Sequence, residues 1–149
     1  MNEKIRSLEM YKTDKGFEIY SNAVDEIGLW KSEEMIIKKY CKDLNTRILD
    51  LGCGCGRTTF GLYKIGYKNI VGLDLCDRFI DYARERVKKE NLDIQFIIGD
   101  SSQLELEENS FDLVFYSFNG LQLIPGYDNR ANVLKESYCL LKNGGYMIF

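Results

Sequence analysis

The residues best suited to chemistry are three aspartates and a cluster of glycines. Asp50 stands two positions before the turn Gly52-Cys53-Gly54-Cys55-Gly56, Asp74 follows 18 residues after Gly56, and Asp100 comes later again. A glycine turn between a strand and a helix lets backbone N–H groups come close to a ligand at the helix's positive end. A carboxylate at Asp74 can accept both hydrogens of a ribose 2′,3′-diol as a bidentate pair. Asp100 can accept the exocyclic amine of an adenine, with Leu75 and Phe79 offering apolar surface to the ring faces. Asp50, ahead of the turn, suits a cationic amino group. Taken singly, each residue has a plain structural explanation as a turn former or helix cap. Taken in order, glycine turn first, they describe a site for an adenosine that carries a zwitterionic tail.

Other chemistries fit less well. A dinucleotide fingerprint needs its third glycine at position 57, which is Arg57, and no G-K-[ST] follows the turn to make a P-loop. The chain has no histidine, so a general base would have to be Asp, Glu, Tyr, Lys or a thiolate. Cys53 and Cys55 form a C-x-C pair, but without histidine or a second close pair a four-ligand zinc site is hard to assemble. No metal is expected. Five cysteines, an odd count behind an N-terminus with no apolar core, read as reduced thiols in a cytoplasmic protein. No apolar run is long enough to span a membrane. A net charge of −3 disfavours nucleic acid as a partner, and Lys38, Lys39, Lys42, Lys88 and Lys89 read as solvated helix surface. A small molecule is the expected partner.

These residues need a scaffold, and the hydrophobic pattern supplies one. Short apolar runs alternate with longer amphipathic ones, the signature of βαβ units in an α/β fold with a parallel sheet. Strands are expected at Arg47–Leu51, Asn69–Asp74, Ile94–Ile98, Phe111–Tyr116 and from Tyr146. Helices are expected from about Arg57 to Ile65, from a cap at Asp77 to about Lys89, and from about Asn129 to Leu141, the last stopped by Asn143-Gly144-Gly145. Residues 1–46 read as an N-terminal helical cover, with one helix at Ser32–Lys42 and a polar, aromatic-dotted segment over residues 1–30. Residues 47–149 form the core.

The motifs resemble those of class I S-adenosylmethionine (SAM)-dependent methyltransferases. ILDLGCGCGRTT (Ile48 to Thr59) is similar to their first motif, and VGLDLCDRFIDYAR (Val71 to Arg84) to their second. FIIGDSSQLEL (Phe96 to Leu106) and SFDLVFYSFNGLQLI (Ser110 to Ile124) resemble the third and fourth, and VLKESYCLLKNGGYMIF (Val133 to Phe149) the helix leading into the fifth strand.

The resemblance implies a doubly wound, mainly parallel sheet in the order 3-2-1-4-5 with helices on both faces. It implies that Asp50 and the backbone of Gly52, Gly54 and Gly56 hold the methionine end of SAM, and that Asp74 binds the ribose. Asp100 and the backbone N–H of Ser101 would bind the adenine, Ser117 would lie beside the sulfonium, and Phe118 and Asn119 would face the nucleophile. Tyr11 and Tyr20 are candidates for a segment closing over the site. The product would be S-adenosylhomocysteine (SAH). Because SFNG replaces the (D/N)PP(Y/F) of base-methylating relatives, a small-molecule acceptor is implied. Family members continue with a helix and an antiparallel hairpin after the fifth strand. The sequence stops inside that strand, so the hairpin is expected to be missing, and either the sheet edge pairs with another chain or the sequence is a piece of a longer protein. Two other readings stay open: a SAM-binding module without catalysis, and a nucleotide-linked oxidoreductase.

Overall fold

The computed structural model describes Tyr11, residues 13–118 and residues 120–149. Strands β1 (Ile48–Leu51), β2 (Ile70–Asp74), β3 (Gln95–Ile98), β4 (Phe111–Phe115) and β5 (Leu141–Ile148) form one sheet in the order β3-β2-β1-β4-β5. Every neighbouring pair is parallel. Helices α1 (Asp14–Glu26), α2 (Lys31–Tyr40), α3 (Arg57–Lys64), α4 (Asp77–Glu90) and α5 (Tyr127–Leu140) surround it, and a short 3-10 turn occupies Gly120–Leu123.

The central strand β1 is buried at every residue, as a parallel strand covered on both faces should be. Alternation along the strands then sorts the core. Leu49, Leu51, Val71, Leu73 and Val114 face one side, where Val133 and Leu140 of α5 meet them. Ile48, Ile70, Leu113 and Phe115 face the other, against Ile37 of α2 and Leu62 of α3. A third cluster joins Val24 of α1, Phe60 of α3 and Phe79, Ile80 and Ala83 of α4 to Phe96 of β3. Each such side chain contributes roughly 1.5–3 kcal/mol on burial, against about 0–1 kcal/mol for an exposed pair such as Lys31–Glu34. Apolar packing therefore fixes where the strand ends lie. The α/β class, the strand order and the helices on both faces agree with expectation.

Some boundaries differ. The Asn143-Gly144-Gly145 run does not follow a helix end at Leu141; it lies inside β5, where the register against β4 jumps between Phe111↔Leu141 and Leu113↔Tyr146. Gly144 takes a φ of 82° there, so the glycines serve a bulge rather than a helix stop. Cys76, not Asp77, is the N-cap of α4; Asp77 is its first residue. The segment before Trp30 contains a whole helix, α1, capped by the Thr13 hydroxyl accepting from the Gly16 N–H at 3.0 Å. Its Phe17, Tyr20 and Val24, spaced for one face, pack against the third cluster. The polar residues between these aromatics mask that period in the sequence.

Candidate cofactor cleft

The turns at the carboxyl ends of β1 to β4 open onto one cleft, the usual ligand position in open α/β sheets. Its volume is about 160 Å³, roughly ten times what one water needs. The first turn owes its shape to glycine: φ is 71° at Gly52, 56° at Gly54 and 91° at Gly56, values that side-chain-bearing residues adopt at a cost. A Cβ on Gly52 would strike the Tyr116 ring, and one on Gly54 would come within 3.1 Å of Tyr20.

Asp74 ends β2 with both carboxylate oxygens engaged: Oδ2 accepts from the Gly54 N–H and Oδ1 from the Cys76 N–H, each at 2.8 Å. Burial raises its pKa, partly countered by those backbone donors. These bonds hold the carboxylate at the cleft wall. Asp100, in an isolated bridge with Gln103, accepts through Oδ1 from the Ser102 N–H at 3.0 Å and the Ser102 hydroxyl at 2.8 Å. Asp50 is 1% exposed. Its Oδ2 accepts from the Thr59 hydroxyl at 2.6 Å, while Oδ1 is buried without a hydrogen-bond partner. Burial pushes its pKa up to about 7, against smaller lowering by the Thr59 bond and the nearby Arg57 charge. A buried carboxylate oxygen with nothing donating to it is costly unless a ligand supplies the donor.

Eight of the expected residues line the cleft: Gly52, Asp74, Leu75, Phe79, Asp100, Ser101, Tyr11 and Tyr20. Tyr20 stacks on Phe79 at 4.9 Å and 28°, and Tyr11 meets Tyr20 edge-on at 5.6 Å. Asp50, Gly54, Gly56, Ser117 and Phe118 do not line it. Ser117 instead donates to Glu33 and accepts from Arg57 at 2.9 Å. Phe118 is 59% exposed with a φ of 54°, a left-handed conformation that costs a bulky residue about 1–3 kcal/mol. Asn119 lies outside the described residues.

Sequence reasoning missed Tyr116, whose hydroxyl bonds the Ser101 side chain and whose pKa burial lifts to about 12. It also missed Gly120, Leu123, Ile124 and Pro125 on the far wall. Tyr116 closed the expected fourth strand next to Ser117, so its position alone was the available signal. The cysteines are all free. Burial first, then neighbouring carboxylates, drive the Cys53 thiol well above its ordinary pKa, and burial takes Cys55 to about 12, so neither is a ready thiolate. Among the described residues, no group of His, Cys, Asp or Glu is placed to hold a metal.

The sheet order and the cleft at its glycine turn define a doubly wound, nucleoside-binding α/β protein. The sequence profile of the methyltransferase domain family matches residues 48–145, and the chain belongs to that family, the class I SAM-dependent methyltransferases. It is 36% identical over 124 residues to a demethylmenaquinone methyltransferase from Lactococcus lactis, covering 80% of this chain and 46% of that one. The chain thus spans about half the length of the curated relatives it matches. A phosphoethanolamine N-methyltransferase from Haemonchus contortus, solved with phosphomonomethylethanolamine and SAH, superposes with a TM-score of 0.80 at 26% identity, over 99% of this chain and 35% of that one. The [4+2]-cyclase SpnF shares the fold, with a TM-score of 0.76 at 17% identity over 95% of this chain and 57% of that one.

Proposed function

We propose that this chain is the cofactor-binding core of an enzyme that transfers a methyl group from SAM to a small-molecule acceptor. The observation that carries the proposal is the cleft that gathers Gly52, Asp74 and Asp100 from three different strand ends. The residues fit the cofactor. Asp74 would bind the ribose hydroxyls, Asp100 and Ser101 the adenine edge, and Leu75 and Phe79 its faces. Asp50 would answer the methionine ammonium, which offers the donor that its buried Oδ1 lacks, and Gly52, Gly54 and Gly56 keep that turn free of side chains. Tyr11 and Tyr20 form the wall on the cover side, which would exclude water.

When bound, SAM supplies an electrophilic methyl group on a sulfonium. The protein's task is then alignment of the acceptor and removal of water. Burial raises Tyr20 and Tyr116 to about 12, so neither phenol is poised to take a proton near neutrality, and alignment does most of the work. Among the described residues lining the cleft there is no Lys or Arg, and Leu123, Ile124 and Pro125 form an apolar wall. That apolar wall, with the demethylmenaquinone methyltransferases among the relatives, supports an acceptor of the demethylmenaquinone kind.

No helix among the described residues is long and apolar enough to cross a membrane, and the free thiols support a cytoplasmic setting. The outer edge of β5 pairs with no strand among the described residues, which supports self-association through that edge. Calorimetric titration with SAH, with Asp74→Ala and NADH as controls, tests the cofactor. Transfer of labelled methyl from SAM to reduced demethylmenaquinone then tests the reaction. Binding of NADH instead of SAH would overturn the proposal.

A further inference from the structure

A charged network lies on the cover side, apart from the cleft wall. Glu33 in the first turn of α2 and Arg57 at the start of α3 form a two-point ion pair, Nη2–Oε1 at 2.6 Å and Nη1–Oε2 at 2.8 Å. Their side chains are only 10% and 14% exposed. The Glu33 carboxylate also accepts from the Ser117 hydroxyl and from the Trp30 backbone N–H at 2.8 Å. Arg57 donates in addition to the Gly28 carbonyl at 2.6 Å and to Ser117 Oγ at 2.9 Å. Burial alone would raise the Glu33 pKa, but the bonds from Arg57, Ser117 and Trp30 outweigh it and hold the group below its ordinary value. The carboxylate is therefore charged and fully used.

A buried ion pair contributes little to stability that a well-packed apolar pair would not. What this one provides is geometry. It ties together three segments distant in sequence: the entry to α2, the residue directly after Gly56, and the loop leaving β4. Two aromatic rings are fixed as a result. The Arg57 guanidinium sits 5.5 Å from the centre of the Trp30 ring, and Trp30 meets Phe118 edge-on at 5.0 Å. Both rings remain partly exposed, at 41% and 59%. The loop that carries Phe118 also supplies Tyr116, Gly120 and Leu123 to the cleft, while neither Trp30 nor Phe118 lines it, so the ring pair is joined to the cleft wall through that loop.

We infer that Glu33, Arg57 and Ser117 are positioning residues that set the Trp30–Phe118 rim of the acceptor entrance and link it to the glycine turn through Arg57. The inference rests on the cofactor reading above. Trp30 is the chain's single tryptophan, so its fluorescence reports on this rim alone. SAH titrated into the wild-type chain should change Trp30 emission with the same midpoint that calorimetry gives. Ser117→Ala should raise acrylamide quenching of Trp30 by roughly twofold, as a locally loosened segment would, and abolish the SAH-dependent change. Ser117→Thr, which keeps the hydroxyl, should restore both. All are measured well below the melting temperature, where a merely structural role leaves quenching unmoved. If Ser117→Ala does not fold, Glu33→Gln, which removes the charge opposite Arg57, is read in the same way. Wild-type quenching and an unchanged SAH response in the variant would overturn the inference. So would calorimetric SAH binding with a silent Trp30 in the wild type. Absence of calorimetric binding in the wild type would instead overturn the cofactor reading, and the inference with it.

Discussion

Replacing Asp50 by asparagine should stabilise the ligand-free chain at pH 8 and weaken its hold on SAH. The carboxyl is fully enclosed, one oxygen bonded to Thr59 and the other to nothing. Burial lifts its pKa from 3.8 to about 7. The folded state therefore binds this proton more tightly than the unfolded chain does. For an acid whose folded pKa is raised, stability is full below the unfolded value and falls as pH rises toward the folded one. The window runs from about pH 4 to about pH 7, and at 1.36 kcal/mol per unit the loss is at most about 4 kcal/mol. Asparagine keeps an acceptor for the Thr59 hydroxyl and carries no charge to desolvate. Urea unfolding at pH 5 and pH 8 should show wild type losing about 2–3 kcal/mol that the variant keeps. Asp74, also raised by burial, leaves a residual slope in both proteins. The ligand reverses the sign. An ammonium beside Asp50 favours the ionised form, so SAH affinity of wild type should climb as pH passes 7, and Asp50→Asn should lose about tenfold or more. Parallel stability profiles for the two proteins would refute the claim that Asp50 titrates in this range.

Further outcomes follow from the same geometry. Asp74→Ala should cost SAH binding about 2–3 kcal/mol, roughly 30- to 150-fold, measured by calorimetry on a variant whose fold is confirmed by circular dichroism. Gly52→Ala forces a Cβ into the Tyr116 ring at a positive φ and should lower stability by about 1–3 kcal/mol in thermal melts. Glu33, whose pKa is lowered by its three donors despite burial, stabilises the fold above its unfolded pKa of 4.5. That contribution fades as pH falls through the lower folded value, so acid titration of Glu33→Gln should be flatter than wild type below pH 4.5.

The strands were legible because buried parallel strands are written as continuous apolar runs; their order was implied only by the resemblance to the methyltransferase family. Ile48-Leu49-Asp50-Leu51 and Ile70-Val71-Gly72-Leu73-Asp74 leave little choice about what they are. That Asp74 and Asp100 stand at the cleft was legible too, since a charge closing such a run lies at the carboxyl end of the sheet. What escaped depended on contacts between distant segments. The Asn143-Gly144-Gly145 run carries the same local signal for a helix stop and for a bulge, and only pairing with β4 selects the second. Ser117 was adjacent in sequence to the cleft wall, yet its hydroxyl turns to Glu33 and Arg57, partners 84 and 60 positions away. No local pattern encodes those bonds.

The sequence by itself determined the alternating strands and helices, the glycine turn and the positions of the three carboxylates relative to them, because period, turn chemistry and charge placement act over a few residues. The tertiary structure alone decided that Asp50 is sealed in while Asp74 and Asp100 face the cleft. It alone placed Tyr116 between Gly52 and Gly120 and bound the cover to the site through Glu33. Burial and long-range hydrogen bonding depend on which surfaces meet when the chain closes, and the spacing of residues along it does not carry that information.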